Sequence, residues 1–381
     1  MWRAEILRFL LARAAIVVAL LATVEAAFRL GAWEPLAKRE SNAGQTVALR
    51  KALETFGPER LDFITLGDSR TVYGFDHERI AARARDKGFT HASVAIPGMH
   101  WMSMRALVNW LRERAPQIKG AVITTTSSNL MFLGNGAYEL NLVAPFARAW
   151  DSEWMTLHVP FAPGDFSTYG AYSATFLYRE DIRDWARHPI RRTKEAHASL
   201  RQAPSTGTLF SRTKVATDLC RQPIDSIEAC AGAKSPEANR SVTAQCHQWK
   251  ERVDPRGDFS NLAAYPHLLQ VRSVRQAQLR ELPYGKPIIV ILMPMPRVWL
   301  DEALPVGLEN WARSVLADLE AEGTIEVHDF TRFFRDGNGP ECAMFWDLYH
   351  QNTAGQDRLT DAVLPILERR LYSPGGRAKP P

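Results

Sequence analysis

A serine hydroxyl attacks an ester only when a base takes its proton, and an imidazole does this best when a carboxylate holds its other ring nitrogen. The chain carries these three groups in two short motifs far apart. An apolar run, Leu61 to Leu66, ends in Gly67-Asp68-Ser69-Arg70, and Asp347-Leu348-Tyr349-His350 lies near the other end. A serine on the turn after a strand stands at the strand's carboxyl end, where open α/β sheets bind their ligands. Asp347 and His350 are three apart, a spacing that places both side chains on one face of a helical turn. Ser69 is therefore expected as nucleophile, His350 as base and Asp347 as the orienting carboxylate. Asp68 is expected to organise the turn rather than to react. Arg70 has two readings: a clamp on a substrate carboxylate or phosphate, or a partner for a nearby acid.

These residues need elements to hold them. Leu61–Leu66, Thr90–Ile96, Gly120–Thr126, Lys286–Met293 and Thr324–Phe330 read as short buried strands. Between and after them, His77–Lys87, Ser103–Arg114, Leu268–Leu282, Leu308–Glu322 and Thr353–Leu371 read as helices, the last tolerating Pro365. Strands alternating with helices imply a parallel sheet with right-handed crossovers. The expected fold is α/β: a flavodoxin-like three-layer α/β/α arrangement with a central parallel sheet, a large insertion and an N-terminal membrane helix. Residues 130–265 lack a clean period and are too long for one structureless loop, so they read as the insertion or cap. The expected division is an anchor or signal over 1–31, a linker over 32–58, the α/β domain over 59–372 and a disordered tail over 373–381. Ser69, Gly98 and Ser127 to Asn129 each directly follow an expected strand, so three elements converge on one sheet edge.

The order of serine then Asp-x-x-His, with Gly-Asp-Ser after the first strand and Asp-x-x-His before the last helix, resembles the SGNH (GDSL-like) hydrolase superfamily. Its members are esterases, lipases and O-acyl-transfer enzymes. The resemblance covers roughly residues 60–130 and 285–372. It implies an acyl-serine intermediate with no metal and no organic cofactor. It also implies two oxyanion donors: the backbone N–H of Gly98, in Ile96-Pro97-Gly98-Met99, and the side chain of Asn129. The family's Gly-x-Asn-Asp block reads Ser127-Ser128-Asn129-Leu130 here, without the glycine and the second acid. Exported, N-terminally anchored members look closest, several of them tied to O-acetylation of exopolysaccharides or cell-wall polymers. That likeness implies a glycan or other acyl-bearing substrate and a membrane-bound acyl-donor protein as partner. It places the chain in the bacterial inner membrane, single-pass, with a periplasmic catalytic domain. A lipid or thioester hydrolase and a non-catalytic envelope scaffold are the alternatives.

The N-terminus fits export. Arg3, Arg8 and Arg13 precede an uncharged run from Ala14 to Val24, and extending it from Phe9 to Phe28 reaches spanning length. The rival readings are a signal peptide cleaved after Ala26, giving a secreted protein, and an amphipathic cytosolic helix. Among the 381 residues, the net charge of +5 and the absence of a basic tract with interleaved aromatics argue against nucleic acid. Cys220, Cys230, Cys246 and Cys342 show no C-x-x-C pair and no histidine at zinc-ligand spacing. The easiest loop to close is Cys220–Cys230, which leaves Cys246–Cys342. Four buried thiols are the other reading. Trp101, Trp150, Trp154 and Trp185 are read as core residues in preference to sugar-stacking platforms.

Overall fold

The computed structural model describes residues 2–131, 141–143, 145–146, 173–200, 205–217, 219, 224–232, 240–251, 257–335 and 340–373. In chain order the elements begin with α1 (Trp2–Arg29) and α2 (Asn42–Phe56), then β1 (Phe63–Leu66), α3 (Ser69–Gly74), α4 (His77–Asp86), β2 (His91–Ser93), α5 (Trp101–Arg114), β3 (Gly120–Thr125) and α6 (Ser127–Met131). Three helices follow: α7 (Ala174–Leu177), α8 (Arg179–Arg187) and α9 (Pro189–Leu200). The remainder comprises α10 (Ile227–Ala231), α11 (Arg240–Lys250), α12 (Pro266–Arg280), β4 (Ile288–Leu292), α13 (Leu308–Ala321), β5 (Ile325–Asp329) and α14 (Thr353–Arg370).

The chain divides into two compact units, one of residues 1–51 with 135–204 and one of residues 52–134 with 205–381. Of the stretch read as an insertion, residues 135–204 thus belong with the N-terminal helix and residues 205–265 with the sheet.

The second unit is built on a five-stranded sheet in the order β2-β1-β3-β4-β5, every neighbouring pair parallel. Strands of a covered parallel sheet face apolar surroundings on both sides, so they read as continuous rather than alternating apolar runs. Phe63-Ile64-Thr65-Leu66 and Ile288-Ile289-Val290-Ile291-Leu292 obey this and are buried throughout. The order of strands reverses between β1 and β3, which lie side by side with Leu66 opposite Ile123. Helix α13 packs on α6, α12 and β5, while α14 packs on α3 and α4.

Local chemistry starts the helices that flank the sheet. Asp76 caps α4 by accepting from the Arg79 N–H at 3.1 Å, and Asn352 caps α14 by accepting from the Gly355 N–H at 3.0 Å. Pro365 lies inside α14, where it removes one helical hydrogen bond without ending the helix.

The disulfide pairing differs from the one expected. Cys230 on α10 is bonded to Cys246 on α11, with the Cα atoms 5.9 Å apart. Helix-on-helix packing of α10 and α11 brings these two residues within disulfide range, and that outweighs the shorter Cys220–Cys230 loop. Cys342 is also disulfide-bonded, and Cys220 lies outside the described residues. The reading as four thiols therefore falls too.

Two histidines are buried against the sheet. His77 donates from Nε2 to the Thr71 carbonyl at 2.9 Å, and His91 Nε2 lies 2.8 Å from Thr65 Oγ1 with Tyr372 on its other nitrogen. Burial pushes His77 down to about 4, against the weaker pull of the Thr71 carbonyl and Asp76. It pushes His91 down to about 3, assisted by His77. A histidine unfolds to an ordinary value near 6.5, so below that pH the unfolded chain binds protons that the native chain refuses. The stability these residues lend is complete above about pH 6.5 and is lost as pH falls toward 4. For His77 the full loss is on the order of 3 kcal/mol. Urea unfolding at pH 7.5 and pH 4.5 is expected to show a stability difference that shrinks by about that amount in His77→Asn. An identical pH difference in both proteins would contradict the assignment.

Candidate active site

The Gly67-Asp68-Ser69-Arg70 turn begins where β1 ends, and glycine is required at its first position by space. A Cβ on Gly67 would lie 1.9 Å from Thr71 Oγ1 and 2.1 Å from Thr124 Oγ1. Those two hydroxyls hydrogen-bond to each other and close the floor of the turn. Asp68 then caps α3, its Oδ1 accepting from the Arg70 N–H at 2.8 Å. Ser69 is the first residue of that helix and remains partly exposed between buried neighbours.

Ser69, His350 and Asp347 converge. His350 Nε2 lies 2.7 Å from Ser69 Oγ, and His350 Nδ1 lies 2.7 Å from Asp347 Oδ2. The other carboxylate oxygen, Oδ1, accepts the backbone N–H groups of Tyr349 and His350, each at 2.7 Å. Asp347 is thereby fixed by its own turn before it meets the imidazole. The Asp-x-x-His spacing places both groups on one face, as expected, though the backbone is a turn and not a helix. The distances suit proton transfer from Ser69 Oγ to Nε2, with Nδ1–H held by the carboxylate.

The oxyanion candidates occupy the ends of the two strands beside β1. Gly98 is the third residue of a turn in which the Met99 N–H bonds to the Ile96 carbonyl at 2.9 Å. Its φ of 77°, with proline before it, is the geometry of a type II turn. The Gly98 N–H takes no part in the bond that closes the turn. Ile96 donates to the Gly67 carbonyl at 3.3 Å, which sets the start of this turn beside the serine turn. Asn129 follows β3 on α6, and its Nδ2 donates to Asp68 Oδ2 at 2.6 Å. One of its two amide N–H groups is thus engaged by the turn aspartate.

Arg70 is pinned. Its Nη1 bonds to Asp68 Oδ2 at 3.0 Å and to Thr126 Oγ1 at 3.4 Å, and its guanidinium lies 5.0 Å from the Trp299 ring centre and 5.9 Å from that of Tyr349. The arginine is 8% exposed, so pairing with the nearby acid describes it better than a clamp reaching for substrate. Asp68 gathers Arg70 and Asn129 onto one carboxylate, which organises the turn as its position suggested.

Two features near the Gly67–Arg70 turn and His350 escape the motif, the first of them a pair of aromatic rings. The Trp346 ring stacks on His350 with centroids 5.3 Å apart and planes 15° apart, and Tyr73 meets the same imidazole edge-on at 5.2 Å. The stack fixes the plane of the imidazole ring. Its sequence signal was the tryptophan immediately before Asp347. The other is His100, at the start of α5. Burial lowers its pKa, with Asp68 opposing and Arg70 and Arg275 reinforcing the shift. Nothing in the sequence distinguished it from the scattered histidines. Of the tryptophans considered for sugar stacking, Trp101 is buried beneath the Arg275 guanidinium at 4.8 Å, and Trp185 lies against Trp33 in the other unit. Trp150 and Trp154 lie outside the described residues.

No protein-family model matches this chain, and no curated protein matches it.

Proposed function

We propose that the protein is a membrane-anchored serine esterase or O-acyltransferase of the SGNH type, acting on a glycan. The relay from Asp347 through His350 to Ser69 carries this reading: two contacts of 2.7 Å between groups from opposite ends of the chain. A scaffold that merely kept the fold would have no need to hold them in register. The strand order with its reversal between β1 and β3 supports a flavodoxin-like doubly wound sheet. Ser69 and Asn129 follow the two strands at that switch point, where such sheets bind ligands.

Chemistry follows from the geometry. Ser69 Oγ attacks the ester carbonyl carbon as His350 Nε2 takes its proton, and Asp347 stabilises the imidazolium. The Gly98 N–H and the remaining Asn129 N–H are the donors for the oxygen that gains charge. The bond to the leaving alcohol breaks as His350 returns the proton to that alcohol's oxygen. Water or a sugar hydroxyl then gives its proton to His350 and attacks the acyl carbon, and the acyl–Oγ bond breaks as His350 Nε2 returns that proton to Ser69 Oγ. Hydrolase and transferase share this acyl-enzyme and differ only in the acceptor admitted.

Helix α1 supports the anchored placement. Residues Arg8–Arg29 form a stretch long and apolar enough to cross a membrane, with mean hydropathy 2.1 and none of it buried. Arginines on its N-terminal side keep that side cytoplasmic and put the sheet domain in the periplasm. Cleavage after Ala26 is disfavoured because Glu25 is bonded to residues 173–175 of the same compact unit. The glycan assignment rests on this exported architecture.

A fluorophosphonate probe is expected to modify the peptide containing Ser69. After loading from p-nitrophenyl acetate, the acetyl group is expected to pass to an added polysaccharide acceptor. Labelling of another serine would remove the site assignment. Labelling at Ser69 with acetate released only to water would leave an esterase and remove the transferase.

A further inference from the structure

We infer that α8 and α9 form a platform on the membrane surface that engages anionic phospholipid head groups, with Arg187 and Lys194 supplying charge and Ile190 entering the interface. The inference rests on the anchored reading of α1.

The argument starts at Glu25, near the end of the apolar helix. Its Oε1 accepts from the Ala174 N–H at 2.7 Å and from Arg29 Nε at 2.8 Å. Its Oε2 accepts from Ser173 Oγ at 2.9 Å and from the N–H and hydroxyl of Thr175, both at 3.1 Å. A carboxylate with this many donors, one of them a guanidinium, does not reside in hydrocarbon. Glu25 therefore marks the head-group end of the span, and the start of α7 lies level with the head groups.

From that level, a run of ring contacts leads to the platform. Phe28 meets Tyr178, at the end of α7, at 5.9 Å and stacks on Trp33 at 5.3 Å, and Trp33 meets Trp185 on α8 at 6.4 Å. Tyrosine and tryptophan concentrate at the membrane–water boundary because each joins an apolar body to a polar tip. Asp181 accepts from Trp33 Nε1 and from the Lys38 N–H, both at 3.1 Å. Buried Arg192 on α9 donates to the Leu36 carbonyl at 2.8 Å. Helices α8 and α9 are thus tied to the chain as it leaves the membrane helix.

The surface so placed is unusual in one respect. Ile190 is 75% exposed, although it sits on a helix whose Ala196 and Arg192 are buried. Lys194 is four residues on, over the same face, and Arg187 stands just before the turn into α9. Arg183 and Arg191 are paired with Glu180 and Asp184, whereas Arg187 and Lys194 form no ion pair among the described residues. An exposed isoleucine between unpaired cations, beside the end of a membrane-length helix, matches the boundary between acyl chains and anionic head groups.

The test uses the full-length chain, with a nitroxide on Ile190→Cys, in nanodiscs of phosphatidylcholine alone or mixed with phosphatidylglycerol. In the mixed discs the label is expected to be several-fold more accessible to oxygen than to a water-soluble nickel complex. The preference is expected to fall in pure phosphatidylcholine, in high salt, and in Arg187→Glu/Lys194→Glu. Ester hydrolysis reports folding, since neither cation belongs to the serine site. Equal accessibility in both lipids, or no response to the double reversal, overturns the platform. The label in pure phosphatidylcholine requires no charge variant, so this comparison stands even if the double variant misfolds. An alkaline carbonate wash separates the two readings. Protein that is retained with its label in water overturns the platform alone, and release of the full-length chain overturns the anchor on which it rests.

Discussion

Ser69→Ala is expected to lower ester hydrolysis by roughly a million-fold while leaving the protein folded. In the proposed mechanism the serine oxygen forms the acyl bond, and His350 Nε2 lies 2.7 Å away to take its proton. Without it the covalent route is gone, and what remains is the ~10³–10⁴-fold advantage over water that binding and oxyanion donors provide. The fold should barely notice. Ser69 is partly exposed at the first position of α3, and the cap that starts this helix comes from Asp68 and not from the serine. Removal of a single oxygen there should change the melting temperature by no more than about 2–4 °C. Steady-state hydrolysis of p-nitrophenyl acetate and a thermal melt, run side by side, check both halves. An alanine variant with wild-type turnover would place the nucleophile elsewhere.

Asp347→Asn should lower kcat by about 10⁴-fold, by altering which nitrogen of His350 carries the proton. The Oδ1 position accepts two backbone N–H groups and must remain an oxygen. The asparagine amide nitrogen therefore falls where Oδ2 met Nδ1. An N–H facing Nδ1 requires that nitrogen to accept, so the ring proton moves to Nε2 and points at Ser69 Oγ. A base already carrying its proton there cannot take another. Because shape and size are nearly unchanged, KM is expected to stay within a few-fold and the loss to fall on kcat. A fall of less than about tenfold would mean that Asp347 merely shapes the turn.

The sequence by itself determined the sheet, the helices that flank it and the three residues, Ser69, Asp347 and His350, that converge at its edge. A parallel sheet demands continuous apolar strands, and Phe63–Leu66, Gly120–Thr125 and Ile288–Leu292 carry that demand in composition alone. The Asp-x-x-His pairing was legible for the same reason: three residues fix its geometry without reference to the rest of the chain. Gly67 was legible as part of a motif, but its reason lies in two threonine hydroxyls, one of them 57 positions further on, that leave no room for a Cβ.

The tertiary structure decided whatever depends on which distant surfaces meet. Only the adjacency of β1 and β3 sets Asn129 against Asp68, which engages part of an amide that local spacing left wholly free for a ligand. Segments that follow β4 and precede α14 bring Trp299 and Tyr349 onto Arg70, which the carboxylate of Asp68 holds from its own turn. Helix packing chose Cys230–Cys246 over the shorter loop. Glu25 follows directly on the uncharged run, and its carboxylate holds residues 148 to 150 positions away. Periodicity reports which face of an element is buried, because burial repeats with the element's own turn. It carries no record of the partner that covers that face, which is fixed only when the chain closes its long loops.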